Sequence, residues 1–191
     1  MTTTTDNTVQ FTVHNKETAQ DPQFLAGVEK KYGGIPNLIG ILAEAPIAAQ
    51  AYGALGELLT KASFTPTERH VVWFTINAYH NCEYCMAAHT LIAKGEKVSE
   101  DVIETARTVG AYADPKLEAL RKFTHSVVDS RGNVEPADLN AFLAAGFTKQ
   151  NVLEILVAVS HKVLSNYTNH IANTPVDENF QKFAWENPAG A

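Results

Sequence analysis

The sequence predicts an all-α fold of about eight or nine helices, and three observations lead to that prediction. Apolar residues recur at the three- and four-residue spacing of a helix face. Prolines and capping residues precede these segments, and glycines follow several of them. No segment alternates apolar and polar residues as a half-buried strand does, and no hairpin turn separates two such segments.

The first three predicted helices are separated by glycine and proline. Pro22 begins the first helix, which ends at Gly33, and the second follows Pro36. The third runs from Ile47 to about Leu59, with apolar residues at helical spacing. These helices are short, so we expect tertiary packing to stabilise them.

Two helices in the middle of the chain have the clearest boundaries. Thr65 is a predicted N-cap, and Glu68 lies where a capping box places its carboxylate. The helix that follows, to about Tyr79, is apolar nearly all round and should therefore lie at the centre of the core. Asn81 is a candidate cap for the next helix, which is expected to end near Gly95.

The second half of the chain shows the same pattern. Capping residues and prolines predict four more helices and a short last one, which begin at Ser99, Asp114, Glu135, Thr148 and Asp177. The last of them is expected to end at Trp185. No low-complexity linker divides the chain, so one helical domain is expected over residues 20–191.

Composition excludes several classes of function. The chain has 191 residues, enough for a full core, and 15 basic against 21 acidic residues give a net charge of −6. No long run of lysine and arginine is present, so neither a nucleic-acid groove nor a polybasic membrane patch is expected. No apolar run approaches the roughly 20 residues that cross a bilayer.

The N-terminal residues are interpreted as a flexible tail over residues 1–19. The first ten residues are rich in threonine and are neither apolar nor rich in arginine, unlike a signal or transit peptide. A cytoplasmic location is therefore expected. In that compartment a cysteine pair is more often redox-active or metal-binding than a structural crosslink.

Both cysteines of the chain lie in one short segment. Cys82 and Cys85 are separated by two residues, and His89 follows four residues after the second cysteine. If the segment is helical, all three side chains share one face. A thiolate can attack a peroxide oxygen to give a sulfenic acid, and a second thiol nearby can condense with it to a disulfide. The helix N-terminus favours Cys82 as the attacking thiol, whereas His89 gives Cys85 the closer base.

The motif and its surroundings resemble the alkylhydroperoxidase D-like (AhpD-like) branch of the carboxymuconolactone decarboxylase family. The resemblance rests on Cys82-x-x-Cys85-x-x-x-His89 after the capped helix that begins at residues 66–69. It extends to residues 34–38 and to a late helix that follows residues 146–148 and ends at residues 166–170. It therefore covers roughly residues 20–185. The branch that decarboxylates a lactone lacks this cysteine pair, so that activity is not expected.

The resemblance implies an activity and roles for the site residues. It implies a homo-oligomer (a dimer, trimer or hexamer) that reduces hydrogen peroxide or small organic hydroperoxides. In that scheme Cys85 attacks, Cys82 resolves and His89 takes the proton. No cofactor is implied. The electrons come from an external dithiol, a lipoyl domain or a thioredoxin-like protein.

The sequence departs from the best-known relatives at one position. These relatives carry a glutamate twelve residues before the first cysteine, where this chain has His70. The nearest carboxylate is Glu68, and two residues turn a helix by about 200°, so the two side chains cannot occupy the same place. Either Glu68 completes the proton relay or His70 does; the capping box also explains Glu68, and a buried histidine also explains His70.

Other interpretations of the motif remain open at this stage. Cys82, Cys85 and His89 could hold zinc, but a fourth ligand would have to come from elsewhere. A structural disulfide across two residues would constrain little. The protein could also be a redox-responsive binding or scaffold protein with little turnover. On the late helix, polar side chains line either a pocket or a subunit interface: His161, Asn166, Asn169 and His170.

Overall fold

The computed structural model describes residues 10–188 and residue 190, and over these residues the all-α prediction is confirmed. They form nine α-helices and one short 3₁₀ helix, Gln181–Phe183, without a strand. The α-helices are α1 Pro22–Tyr32, α2 Asn37–Leu42, α3 Pro46–Thr60, α4 Pro66–Tyr79, α5 Glu83–Gly95, α6 Glu100–Arg107, α7 Pro115–Asp129, α8 Pro136–Ala144 and α9 Lys149–Ala172.

Capping interactions set the start of the two helices that position the site. At α4, the Glu68 carboxylate accepts the Thr65 N–H at 2.9 Å, and the Thr65 hydroxyl accepts the Glu68 N–H, which completes the predicted capping box. At α9, Thr148 and Asn151 form the same reciprocal pair. Each pair satisfies backbone groups that the first turn of a helix leaves without a partner.

Helix α4 lies at the centre of the molecule, as its all-round apolar pattern predicted. Every residue from Glu68 to Ala78 is buried, and the helix packs against α5, α6, α7 and α9. Beside it, the rings of Phe123, Phe142 and Phe147 stack at centroid distances of 4.3 and 4.5 Å. A separate apolar cluster, built from α2, α3, α5 and the C-terminal segment, contains Cys82 and Cys85.

Two predicted boundaries were wrong, at the start of α5 and at the C-terminus. Asn81 does not cap α5; it adopts a left-handed conformation (φ 52°) between α4 and α5, which asparagine tolerates, and Cys82 is the N-cap. Helix α5 ends at Gly95, as predicted, and Lys97 adopts a left-handed conformation two residues later. The last predicted helix is reduced to turns and the three-residue 3₁₀ helix, because this segment packs by Phe180 and Trp185 rather than along one helical face.

The predicted N-terminal tail is only partly described. Residues 1–9 lie outside the described residues, whereas residues 10–19 run beside α2. There the His14 N–H donates to the Gly40 carbonyl oxygen at 3.1 Å, and the His14 ring lies 2.7 Å from the Glu44 carboxylate.

Within the described part of the chain, no single helix is long and apolar enough to cross a membrane. Helices α8 and α9 together pass that test by length and composition, but they meet at a bend of 114°.

Candidate active site

The two cysteines lie at the N-terminus of α5. Cys82 is the N-cap and Cys85 is in the first turn, so both sulfurs are near the positive end of the helix dipole. The backbone holds the cap in place, since the Cys82 N–H donates to the Asn77 carbonyl oxygen at 2.9 Å. Both cysteines are free thiols and are buried, with exposed fractions of 1 % and 2 %.

Helix α9 supplies polar partners to the sulfurs. The Asn169 side-chain amide donates to Cys85 Sγ at 3.2 Å and lies 3.6 Å from Cys82 Sγ. The Ser165 hydroxyl oxygen lies 3.8 Å from Cys85 Sγ. The polar residues on this helix were expected to line either a pocket or a subunit interface. Asn169 supports the pocket interpretation, because its side chain contacts the sulfurs.

The environment separates the pKa values of the two thiols. Burial alone would raise the pKa of Cys85, but the hydrogen bond from Cys82, the positive charge of Lys162 and the Ser165 hydroxyl outweigh it, so the pKa of Cys85 is lowered. The pKa of Cys82 is raised, because it donates its hydrogen bond to Cys85 and is buried. The arrangement therefore favours a thiolate on Cys85 and a protonated thiol on Cys82.

Lys162 is the residue that sequence reasoning missed. It is fully buried on α9, and its Nζ lies 3.0 Å from Nε2 of His89. Among the described residues, no carboxylate lies within ion-pair distance of its Nζ. The positive charge of Lys162 instead favours the thiolate form of Cys85. A sequence signal existed, because Ile155, Lys162 and Asn169 follow one another at seven-residue intervals along the buried side of α9.

His89 is brought to the site, but through Lys162. Its Nε2 is occupied by Lys162, its Nδ1 has no hydrogen-bond partner among the described residues, and neither nitrogen contacts a sulfur. Burial, followed by the charge of Lys162, holds the pKa of His89 well below its usual range. His89 also packs against the ring of Trp73, at a centroid distance of 4.9 Å. We therefore expect a neutral imidazole that accepts a hydrogen bond from Lys162.

Glu68 is not brought to the sulfurs. Its carboxylate accepts hydrogen bonds from Thr65 at the start of α4 and pairs with Lys116 Nζ at 2.7 Å. Burial would raise the pKa of Glu68, but these partners outweigh it and lower the pKa. All its described contacts belong to the helix start and to α7, which supports the capping interpretation of this residue.

His70 lies closer to the proposed relay. It is fully buried, and the centroid of its ring is 6.1 Å from that of His89. Its Nε2 lies 3.3 Å from the Glu96 carboxylate without hydrogen-bond geometry, and Arg69 binds the same oxygen at 2.5 Å. Burial lowers the pKa of His70 to about 4, despite the charge of Glu96. His70 thus lies between the ring of His89 and the partly exposed Glu96 carboxylate.

The other polar residues on α9 are divided between two places. Asn166 is buried and bridges Asn77, at 3.1 Å, and the His80 ring, at 3.1 Å. His161 stacks on Tyr52 with ring centroids 4.3 Å apart, and burial lowers its pKa to about 3. Asn166 and His161 therefore tie α9 to α4 and α3.

Two depressions adjoin the thiol site. A cavity of about 730 Å³ is lined mainly by apolar and aromatic residues, among them Leu38, Tyr52 and Tyr84. A second, polar depression of about 370 Å³ is lined by Cys82 together with Asn169 and His170. Cys85 is in the apolar cluster that shares Leu38 and Tyr84 with the wall of the larger cavity.

The geometry does not favour the zinc interpretation. Within the described part of the chain, no group of three or more histidine, cysteine or acidic side chains is arranged to hold one metal ion. His89, the proposed third ligand, directs its Nε2 to Lys162. A cation beside Lys162 would also meet a like charge.

Comparison with known proteins agrees with this fold. The family model of the carboxymuconolactone decarboxylase family matches residues 46–126, which span α3 to α7. Among curated proteins, none matches the sequence.

Solved structures of the same architecture cover nearly the whole chain. A peroxidase-related protein from Ralstonia eutropha JMP134, described as an alkylhydroperoxidase AhpD core, has a TM-score of 0.78 and 23 % identity, over 90 % of this chain and 93 % of its own. A peroxidase-related protein from Silicibacter sp. TM1040 has a TM-score of 0.76 and 15 % identity, over 91 % and 93 %. The debrominase Bmp8, in complex with 2,3,4-tribromopyrrole, has a TM-score of 0.75 and 15 % identity, over 93 % and 96 %.

At these identities the solved structures establish the fold alone, and the family model matches the segment, residues 46–126, that carries the cysteines. The two findings agree with the cysteine motif and its position at the start of α5. The chain therefore has the AhpD-like fold, and its residues 46–126 are similar to the carboxymuconolactone decarboxylase family.

Proposed function

We propose that this protein is a thiol-dependent peroxidase in which Cys85 attacks the peroxide and Cys82 resolves the product. The observation that carries the proposal is the asymmetry of the two thiols. Cys85 accepts a hydrogen bond from Asn169 and is near the buried charge of Lys162, whereas Cys82 acts as a donor to Cys85. An AhpD-like fold with a peroxidase-related neighbour supports the same reaction.

The proposed reaction balances without a cofactor. The Cys85 thiolate attacks the terminal peroxide oxygen, the O–O bond breaks, and the alcohol leaves with a proton to give a sulfenic acid on Cys85. The Cys82 thiol then attacks this sulfur, forming the disulfide and releasing water. Two thiols and one hydroperoxide thus become one disulfide, one alcohol and one water.

The role of proton carrier proposed for His89 is modified here. Lys162 stabilises the Cys85 thiolate electrostatically, and His89 fixes the position of the ammonium by accepting its hydrogen bond. We propose that the proton that leaves with the alcohol comes from the hydrogen-bonded pair of Lys162 and His89.

We propose that an external dithiol regenerates the enzyme by attack on Cys82. Cys82 lines the polar depression, so in the disulfide its sulfur is the one that a thiolate from outside would reach. Attack there releases Cys85 as the leaving group, and a lowered pKa makes it a good one. A lipoyl group or a thioredoxin-like protein would serve as this dithiol. The cytoplasmic location stays a prediction.

The expected homo-oligomer is also a proposal. Apolar side chains on α3 and α9 are more than half exposed in the single chain: Ile47, Leu58, Leu153 and Ile171. Such side chains are typical of an interface. Sedimentation velocity should detect a dimer, trimer or hexamer, and Ile171→Glu should weaken it; a monomer at every concentration would contradict the proposal.

The test of the peroxidase uses the reduced protein and a small excess of cumene hydroperoxide, with free thiols and mass followed over seconds. We expect the loss of two thiols and two mass units, and no reaction in Cys85→Ser. In Cys82→Ser a sulfenic acid should accumulate on Cys85 and react with dimedone. A sulfenic acid on Cys82 in the Cys85→Ser variant would reverse the two roles.

Thiols that react only over hours would overturn the peroxidase and favour a redox-responsive binding or scaffold protein.

A second enzymatic candidate is reductive dehalogenation of a small aromatic ring by the same two thiols, with release of halide. The aromatic lining of the larger cavity and the debrominase neighbour support it. Incubation with 2,3,4-tribromopyrrole and measurement of bromide distinguish this candidate from the peroxidase.

A further inference from the structure

The larger cavity is bordered on one side by aromatic rings. Tyr52 and Tyr84 line it together with Phe180, whose ring packs edge-on against Tyr84 at a centroid distance of 5.8 Å. Leu38 and Leu91 supply aliphatic surface. Its volume of about 730 Å³ lies in the range of small-molecule sites, and a mainly apolar lining with a few polar groups is typical of them.

The walls of the cavity are held in place by hydrogen bonds between distant segments. The Tyr84 hydroxyl donates to the Asp177 carboxylate at 2.5 Å and accepts the Leu38 N–H at 3.2 Å. The same carboxylate accepts the Asn37 N–H at 3.1 Å. Because these contacts join α2, α5 and the C-terminal segment, the cavity is preformed and does not need a ligand to assemble it.

The cavity shares a wall with the thiol site. Tyr84 directly precedes Cys85 in the first turn of α5, and Leu38, Tyr84 and Phe180 belong to the apolar cluster that contains both cysteines. Tyr52, which also lines the cavity, packs against the same apolar cluster. Neither cysteine lines the cavity, so the residues of this shared wall separate a bound ligand from the sulfurs.

The charges of the lining are of one sign. Asp177 and Glu178 are its two carboxylates, and no lysine, arginine or histidine is among the lining residues. The ammonium of Lys31 lies 5.0 Å above the Tyr32 ring at the rim, but Lys31 does not line the cavity. Asp177 receives only neutral donors, so its charge is not cancelled by an ion pair among the described residues.

From this lining we propose that the cavity is the substrate site and that it selects neutral or cationic aromatic hydroperoxides over those that carry a carboxylate. The aromatic walls bind a ring, and the two carboxylates repel an anion as it enters. This inference rests on the proposed peroxidase for its reaction. The binding preference itself depends on the cavity alone and can be measured without turnover.

The binding test uses Cys85→Ser, which cannot react, and two alcohols that correspond to reduced substrates. The neutral probe is 2-phenyl-2-propanol, and the anionic probe is the same compound with a carboxylate at the para position. Ligand-observed NMR should give a Kd for the neutral probe about tenfold lower than for the anionic one. Equal affinities would overturn the charge selection.

Two further variants of the Cys85→Ser protein test the location. Leu91→Trp should fill the cavity and weaken both probes at least tenfold, whereas Lys149→Trp, at the exposed start of α9, should leave both unchanged. Glu178→Lys should strengthen binding of the anionic probe alone. If Leu91→Trp binds both probes as tightly as its parent, the ring binds elsewhere and the proposal fails.

The outcomes separate this proposal from the peroxidase. If the neutral probe binds as expected but the wild-type protein does not reduce cumene hydroperoxide, the cavity is a ligand site and the proposed reaction is wrong. If the wild-type protein reduces cumene hydroperoxide fast and Leu91→Trp reduces it at the same rate, the reaction stands and this substrate site is wrong. Selective loss of cumene hydroperoxide turnover in Leu91→Trp supports both.

Discussion

Lys162 is fully buried on α9, and its positive charge helps to lower the pKa of Cys85. A buried ammonium without a carboxylate partner is costly to the fold unless a negative charge forms nearby. In the proposed peroxidase the Cys85 thiolate supplies that charge. The charge of Lys162 lowers the pKa of Cys85 and leads to the first of two predictions about single residues.

The first prediction concerns Lys162→Met, which keeps the length of the side chain and removes the charge. We expect the pKa of Cys85 to rise by at least about one unit, because the charge that favours the thiolate is lost. Alkylation by iodoacetamide at pH 6 should slow roughly tenfold and recover at alkaline pH, where the thiolate forms regardless. Thiolate absorbance at 240 nm, titrated against pH, measures the shift.

The control for this variant is Lys94→Met, which removes a surface lysine that pairs with Glu100. It should leave the pH profile of alkylation unchanged. A Lys162→Met protein with the profile of the wild type would mean that Asn169 and the helix dipole suffice to stabilise the thiolate.

The second residue-scale prediction separates the two interpretations of Glu68. Glu68→Gln removes the ion pair with Lys116, which is about half exposed, and keeps an oxygen for the capping box. The free energy of unfolding should therefore fall by less than about 1 kcal/mol. The rate of peroxide reduction should not change. A tenfold slower reaction in stopped-flow measurements would put Glu68 in the proton path after all.

At the scale of single elements, α2 is held against the N-terminal segment by a close backbone approach at Gly40. A Cβ atom at this position would lie 2.8 Å from the His14 carbonyl oxygen and 2.8 Å from Val13 Cγ1. The position is helical, so the requirement for glycine comes from packing and not from the backbone conformation. Residues 10–19 thus depend on α2, although the sequence assigned them to a flexible tail.

Gly40→Ala should lower the free energy of unfolding. Alanine favours a helix by about 1 kcal/mol over glycine, but the overlap with the backbone of His14 costs about 1–3 kcal/mol. Trypsin should also cut at Lys16 sooner than in the wild type. Gly27→Ala is the matched control, because this helical glycine has open space around its Cβ position and should stabilise the protein in urea unfolding.

At the scale of the whole molecule, buried histidines connect several helices and make stability depend on pH. His161 joins α9 to Tyr52 on α3, and His70 packs between α4 and α5. Burial lowers the pKa of His161 to about 3 and that of His70 to about 4, whereas an unfolded histidine has a pKa of about 6.5. Between these values the unfolded chain binds more protons than the folded one, so stability falls as the pH is lowered.

The expected loss from His161 between pH 6.5 and pH 4 is roughly 3 kcal/mol. Urea unfolding at pH 7 and pH 4 measures the difference, and His161→Gln should reduce it by about that amount because glutamine does not titrate. His125→Gln, at an exposed position, serves as the control. If both variants keep the full pH dependence of the wild type, other groups cause the loss in acid.

Much of the architecture could be predicted because the signals are local. Prolines at helix starts, capping boxes at Thr65 and Thr148, and the left-handed Gly33 act within four residues, and each was present at the observed boundary. The predictions failed where distant contacts override local preference. At the C-terminus, Phe180 and Trp185 pack into the core from a turn, and no helical periodicity encodes this.

The sequence by itself determined the all-α class, the order of the helices and the cysteine pair at the start of α5, because spacing and capping depend on near neighbours. Only the tertiary structure decided which groups surround the sulfurs. Lys162 and Asn169 lie about eighty residues after the cysteines, and the packing of α9 brings Asn169 to Cys85 and Lys162 to His89. Tertiary packing also kept Glu68 at its helix cap and formed the cavity between α2, α5 and the C-terminal segment, since such contacts have no counterpart in local spacing.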